Sequence, residues 1–265
     1  MAMTLPHPNR PGSADQVLDW FNTDPAQFLA SCCIFLDVDG TLIEFREDPA
    51  SALADAELIE LLGDTAALLG GALALVSGRL LTTLDKMLSP LRLPASGLYG
   101  LERRDAKGAV HRRLNGTHVL DPARQRLFDF AAARPGLIVE DKGMAIALHY
   151  RRAPSYASEC RRVAYDAVTG LWPLFQVIEG AMVVDIVPTG ATKATAIEEF
   201  MLEAPFARRI PIALGDDFSD RDAFSAVHRH GGVAVAVGHR IYGDHCLENC
   251  RAARQWLSSL GGLKP

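Results

Sequence analysis

The chain has no uninterrupted apolar stretch near the roughly 20 residues that a membrane-crossing helix needs, and its opening residues, Met1 to Pro11, lack the apolar centre of a signal segment. A cytoplasmic protein is therefore expected, with no membrane partner. Basic charge is in deficit, since 27 Lys and Arg stand against 32 Asp and Glu for a net charge of −5. That balance gives no general field for nucleic acid or an anionic membrane and leaves room only for a local basic site. Cysteine is sparse and odd in number. Five thiols, with Cys32 and Cys33 adjacent, make a poor disulfide framework and fit reduced side chains in the cytosol. His245, Cys246 and Cys250 lie close enough together to suggest zinc, but nothing nearby completes a tetrahedral set, so a zinc site is not expected.

What is present is the material of a globular protein: 49% hydrophobic and 22% charged residues over 265 positions, enough for one large core or two smaller ones. The most informative stretch is Ile34-Phe35-Leu36-Asp37-Val38-Asp39-Gly40-Thr41-Leu42. An apolar run that ends in two carboxylates one residue apart, then a glycine and a hydroxyl, reads as a buried strand delivering acids into a turn at its carboxyl end. In an open α/β sheet ligands sit there. Two carboxylates held so close repel and need a cation or a shared proton. Mg²⁺, which prefers hard oxygen ligands and accepts carboxylates together with phosphate oxygens, fits best. With one carboxylate on the metal, the other is free to act as nucleophile or proton carrier. Alone, the same tetrapeptide also serves as a plain turn and cap, so the rest of the chain has to decide.

Strand-like and helix-like segments alternate after it. Leucines from Leu53 to Leu69 recur at helical spacing. Ala72 to Val76 then reads as a second strand, ending in Ser77-Gly78-Arg79, where a hydroxyl, a close backbone and a guanidinium can grip an anion. A third strand is expected over Gly97 to Leu101. The texture then changes, with a hairpin turn at Lys107-Gly108, a helix starting at Asp121-Pro122, another over 154–169, and paired strands around Asp141-Lys142-Gly143 and over 174–187. The alternation returns at Thr189 to Lys193, which leads into a helix running to about Leu202. Lys193 in a first helical turn opposes the helix dipole at a cost of a few tenths of a kcal/mol, and a phosphate or the Asp37 carboxylate would compensate it. Ile210 to Leu214 ends in Gly215-Asp216-Asp217-Phe218-Ser219-Asp220, a second acidic strand end. Two such ends in one parallel sheet meet at one edge, which favours a metal site over two separate caps.

The order Asp37-Val38-Asp39-Gly40-Thr41, Ser77, Lys193 and Gly215-Asp216-Asp217 with Asp220 resembles the motifs of the haloacid dehalogenase superfamily. Within it, Leu73 to Arg79, Gly100-Leu101-Glu102-Arg103-Arg104, Lys142-Gly143-Met144-Ala145 through His149-Tyr150-Arg151, and Val184 to Pro188 are similar to the trehalose-6-phosphate phosphatase family. The resemblance implies an α/β fold, a Rossmann-like core with a parallel sheet flanked by helices and an inserted α+β cap of the C2 type. Residues 1–30 would be a leader and short helix, 31–111 and 188–265 the catalytic core, and 112–187 the cap, hinged near Arg112 and Pro188.

It further implies Mg²⁺-dependent hydrolysis of a sugar phosphate through an aspartyl phosphate, with Asp37 as nucleophile, Asp39 as proton carrier and Lys193 beside them. The metal would sit on Asp37, Asp39 through its backbone carbonyl, and Asp216, supported by Asp217 and Asp220. Thr41, Ser77, Gly78, Arg79, Glu102, Lys142, His149, Arg151 and Asp185 would bind substrate. The chain departs from the family pattern at Asp185, usually Glu, at Val187, usually basic, and at Ala194, usually Gly. Sucrose phosphate or a mannosyl-3-phosphoglycerate as substrate, or a sugar-phosphate sensor without turnover, are the competing readings. A monomer is the working expectation.

Overall fold

The computed structural model describes residues 23–46, 52–113 and 117–261. The expected leader and the first part of the short helix expected before residue 30 lie outside the described residues. The first element, α1 (Pro25–Ser31), is opened by the Asp24 side chain, which accepts from the Gln27 amide. It leads into β1 (Cys32–Leu36), buried at every position. Then come α2 (Ala56–Leu68), β2 (Leu73–Val76), α3 (Leu81–Met87), β3 (Ala95–Gly97), β4 (Glu102–Arg104) and β5 (Val110–Arg112).

These strands belong to one eight-stranded sheet that the chain completes later with β10 (Ile210–Gly215), β11 (Val233–Val237) and β12 (His245–Leu247), in the order β12-β11-β10-β1-β2-β3-β4-β5. Pairing is parallel from β12 to β3 and antiparallel across β3, β4 and β5. The helices α6 (Lys193–Phe200), α7 (Arg221–Arg229) and α8 (Cys250–Gly261) complete this body. The near-continuous apolar strands Cys32–Leu36 and Val233–Val237 are what a sheet covered on both faces requires.

Between β5 and α6 the chain builds a second, four-stranded antiparallel sheet, β6 (Ile138–Asp141), β7 (Ile146–His149), β8 (Phe175–Gly180) and β9 (Val183–Pro188), in the order β6-β7-β9-β8. Helices α4 (Asp121–Ala132) and α5 (Ala157–Val168) pack on it around Leu127, Leu148, Val163 and Ile186. The architecture is α/β, a mostly parallel sheet flanked by helices with a separate antiparallel cap. A small apolar cluster of Leu98, Tyr99, Leu101, Ala145, Val187 and Ala191 joins the two bodies.

Two local expectations change, and two short strands are added. The strand expected over Gly97 to Leu101 ends at Gly97 and becomes a single turn, Leu98–Gly100, because Leu98 and Tyr99 adopt φ of 49° and 55°, which no strand accommodates. The helix expected to reach Leu202 stops at Phe200. The edge strands β5 and β12, each only three residues long, carry no alternation long enough to announce themselves. Among the described residues no helix is long and apolar enough to cross a membrane. Cys32, Cys33, Cys160 and Cys250 are buried free thiols and Cys246 an exposed one.

The centre of the large core is an aromatic trio. Phe35 on β1 stacks on Phe206 at 5.5 Å and lies 5.9 Å from Phe200, whose ring stands 5.0 Å from that of Phe206. This fixes α6, and with it Lys193, against the back of β1. Phe35→Ala is expected to lower stability by about 3–5 kcal/mol in a denaturant titration; a loss below about 1 kcal/mol would show that the trio does not anchor the helix.

Candidate active site

Strand order places the motifs. β1 lies between β10 and β2, with Leu36 opposite Leu214 on one side and Leu75 on the other. The chain leaves β1 toward β2 and returns to its other flank through β10, so the sheet changes direction of winding beside β1, where a crevice opens at the carboxyl ends. The Asp37 amide continues the ladder by donating to the Leu214 carbonyl at 3.0 Å. Asp37, Asp216 and Ser77 thus emerge side by side, each the first residue beyond its strand.

Lys193, the first residue of α6, is turned inward and almost wholly buried. Its ammonium donates to Asp37 Oδ1 at 2.6 Å and Asp220 Oδ1 at 2.7 Å. The local mismatch between a cation and a helix N-terminus is therefore answered by carboxylates. Among the described residues Asp37, Asp216 and Asp220 form a buried group whose ligand oxygens lie within 4.8 Å of one another. The Thr41 hydroxyl stands between Asp216 Oδ1 at 3.3 Å and Asp37 Oδ2 at 3.4 Å. Gly40, at φ +86°, lies so close to Asp216 that a Cβ there would meet Oδ2 at 2.3 Å, so the turn needs glycine.

Burial drives the Asp37 carboxyl up to about 7 despite the Lys193 charge, with Asp220 and Asp39 adding to the rise. Burial, together with Asp37 and Asp220, drives Asp216 to about 9. Lys193 is raised: burial alone would discharge it, but Asp220 and Asp37 outweigh that. The acids carry more negative charge than the surrounding cations neutralise, and they offer only hard oxygen donors, which is the donor set that suits Mg²⁺.

The second acid of the motif behaves differently. Asp39 is held bidentately by Arg79, with Nε at 2.6 Å from Oδ2 and Nη2 at 2.7 Å from Oδ1. Its carboxylate therefore lies outside the acidic group. Arg79, expected on an anion, is engaged with Asp39, while its amide donates to Ser77 Oγ at 3.1 Å.

The cap closes a cavity over this edge, lined by Asp37, Asp39, Ser77, Gly78, Arg79 and Lys193 from below and by Lys142, His149, Arg151 and Asp185 from above. Two residues expected at the substrate lie elsewhere. Glu102, expected at the substrate, is on β4 away from the cavity, where Oε1 accepts from the Leu81 amide at 2.6 Å and Oε2 pairs with Arg112 at 3.4 Å. It caps α3. Thr41 is fully buried beneath the acids and contacts them rather than the cavity. Asp217 does not bond Lys193, but its amide donates to Asp220 Oδ2 at 3.1 Å in a reciprocal capping box, while its Oδ1 accepts from Phe218 and its Oδ2 from the amide of Ala181 in the cap. Asp220 does support Lys193, as expected of it.

Glu140, Phe45, Arg46 and Tyr99 also line the cavity, and the sequence reading passed over them. The His149 ring bonds Glu140 Oε2 at 2.9 Å, and Lys142 Nζ lies 4.0 Å from the same oxygen. Burial alone would raise the Glu140 carboxyl, but the His149 hydrogen bond and the Lys142 charge bring it down to about 2. An acid two residues before Lys142 in an alternating strand was the available signal. The Phe45 ring lies within 4.4 Å of the Arg151 guanidinium and 4.7 Å of the Arg240 guanidinium, and Arg240 also pairs with Asp216 Oδ2 at 2.9 Å. No pattern in the sequence announces those contacts.

Residues 35–249 match the trehalose-phosphatase family. Over 216 residues, 82% of this chain and 81% of the relative, the chain is 38% identical to the trehalose-6-phosphate phosphatase of Escherichia coli strain K12. In fold it is similar to the C-terminal domain of Candida albicans trehalose-6-phosphate phosphatase, with a TM-score of 0.81 at 20% identity over 99% of this chain and 100% of that one. A phosphatase of the haloalkanoate (HAD) enzyme superfamily from Bacteroides thetaiotaomicron superposes with a TM-score of 0.58 at 16% identity, over 89% of this chain and 96% of its own.

Asp37 and Asp216 both bind protons more tightly in the folded chain than at the ordinary carboxylate value near 3.9. Without a divalent ion the folded state therefore holds extra protons between about pH 4 and pH 9, and stability falls as pH rises through that window. Melts in chelator are expected to drop by at least about 5 °C from pH 5 to pH 9, with millimolar Mg²⁺ recovering most at the alkaline end. Melting midpoints that ignore Mg²⁺ would contradict a cation site at these acids.

Proposed function

The chain belongs to the trehalose-phosphatase family, a family of phosphoric monoester hydrolases, and from that membership we propose that it hydrolyses trehalose 6-phosphate to trehalose and phosphate through an aspartyl phosphate. The observation that carries the reading is the buried Asp37–Lys193 pair beside Asp216, at the floor of a cavity roofed by polar cap residues. In this reading residues 31–111 and 188–265 act as the catalytic core and 112–187 as a cap that shuts out bulk water. The chain works as a cytoplasmic monomer on a soluble sugar phosphate.

Asp37 attacks phosphorus in line. Its oxygen–phosphorus bond forms as the bond from phosphorus to the sugar oxygen breaks, and Asp39 gives that oxygen a proton. Asp39 then takes a proton from the water that attacks the aspartyl phosphate, releasing phosphate and restoring the Asp37 carboxylate. Asp37, Asp216 and the Asp39 backbone carbonyl would hold Mg²⁺, which neutralises charge on the phosphate. Lys193 favours the ionised form of Asp37 against burial and aims it, and with Ser77 it binds the phosphate oxygens as they gain charge.

The Arg79 fork has a part in the timing. An incoming phosphate dianion competes with Asp39 for the guanidinium, and once Arg79 turns to the phosphate, Asp39 is released to take up from solvent the proton that it then gives to the leaving sugar oxygen. Above, Glu140 and Lys142 present an acceptor and a donor to sugar hydroxyls, with His149 fixing Glu140. Hydroxyl-reading walls of this kind discriminate strongly, because a wrong sugar leaves their polar groups unpaired.

Phosphate release from trehalose 6-phosphate, sucrose phosphate and mannosyl-3-phosphoglycerate, with and without chelator, tests the assignment. Trehalose 6-phosphate is expected to be preferred, and chelator to abolish release. Preference for either other substrate would replace trehalose 6-phosphate in the reading. Asp37→Asn is expected to lose about 10⁴-fold or more in kcat, and full turnover by that variant would remove Asp37 as nucleophile.

A further inference from the structure

Tyr99 belongs to the turn between β3 and β4, two elements of the large sheet, yet it lines the cavity. Its backbone is left-handed, at φ 55° and ψ 39°, an outlier for a bulky side chain. The conformation sends the ring beneath the loop that carries Ser77 and Arg79. A Cβ on Gly78 would come within 2.6 Å of both the Tyr99 hydroxyl and its ring carbon, so the glycine is what lets the ring fit. The ring is packed in the apolar cluster between core and cap, with Leu98, Ala145 and Val187.

The hydroxyl donates to Asp185 Oδ2 at 3.0 Å across that junction. Asp185 Oδ1 accepts from Lys142 Nζ at 2.8 Å, and Lys142 Nζ donates to the Gly78 carbonyl at 3.1 Å. A closed ring of contacts results, from Gly78 to Lys142, Asp185, Tyr99 and back to Gly78. Both Asp185 oxygens are engaged and the residue is 1% exposed, so it has little to offer a sugar hydroxyl directly. Lys142 keeps an N–H beyond these bonds, on the side of Glu140 at 4.0 Å.

We propose that Tyr99 is a positioning residue for sugar recognition: its hydroxyl holds Asp185, and Asp185 holds the Lys142 ammonium at the cavity wall beside the phosphate-binding loop. Asp185 acts through Lys142 rather than on the sugar. A network of this kind transmits the loss of one remote hydroxyl to the ligand-facing ammonium, because Asp185 released from Tyr99 can rotate and draw Lys142 with it. The inference rests on the sugar-phosphate reading above.

The test uses the full chain with Mg²⁺ and two substrates, trehalose 6-phosphate and p-nitrophenyl phosphate, which has a phosphate and no sugar. Tyr99→Phe removes one oxygen and keeps the ring. It is expected to raise KM for trehalose 6-phosphate about tenfold with kcat changed less than about threefold, and to lower the ratio of kcat/KM for the sugar phosphate over the aryl phosphate by about tenfold. Asp185→Asn should lower the same ratio, and the double variant should be no worse than Asp185→Asn alone. An unchanged ratio in Tyr99→Phe, losses that add in the double variant, or a lowered melting temperature with the ratio intact each overturn the proposal. Should Tyr99→Phe not fold, an unchanged ratio in Asp185→Asn overturns it instead. A parent chain that cleaves p-nitrophenyl phosphate and not trehalose 6-phosphate overturns the substrate assignment, and this inference with it.

Discussion

A single ammonium holds together groups that would otherwise force one another apart. Lys193 is buried, is shared between Asp37 and Asp220, and sits among acids that burial and mutual repulsion drive toward protonation. Without it the carboxyl edge of the sheet would carry acids with too few counter-charges in a poorly solvated place, at a cost of several kcal/mol. Much of the surrounding fold serves that one position. The Phe35, Phe200 and Phe206 rings set the height of α6 on the sheet, and the capping pair Thr192 and Thr195 starts the helix where the lysine can turn inward.

The core of this arrangement was legible in the sequence because it depends on backbone registers that short patterns announce. An apolar run ending in Asp-x-Asp-Gly, another ending in Gly-Asp-Asp, and a lysine wrongly signed for its helix end can all be read along the chain. A parallel sheet then brings the pieces together with no further information. What the sequence did not disclose are the contacts made across the junction by side chains whose partners lie in another body. Arg79 reads as an anion grip and in the fold clasps Asp39. Glu102 reads as a sugar contact and is buried beneath α3, because β4 is an antiparallel strand of the core. Asp217 reads as a neighbour of the acids and reaches into the cap. In each case the residue type was informative and its direction was not, since direction follows from a turn or strand polarity that spacing leaves open.

The cap is joined to the core by contacts of different character. At the mouth, Arg151 donates to the Arg46 carbonyl at 2.6 Å and stacks on Phe45, in an exposed position where water competes. Deeper in, Lys142, Asp185 and Tyr99 make their bonds in a setting that excludes water, and hydrogen bonds there are both stronger and less forgiving of a missing partner. A graded seam of this sort lets the mouth loosen while the inner seam holds its geometry.

The route of the chain between the two bodies sets a mechanical limit. From Pro188, the last residue of the cap sheet, only residues 189–192 separate the strand from Lys193. Fully extended, that tether spans about 16–18 Å. However the upper body swings, its exit strand stays leashed to the very lysine that grips Asp37, so a wide excursion at this corner would uncouple the ammonium before it freed the sugar. In the proposed reaction the sugar is then expected to enter past the opposite rim, beside Phe45.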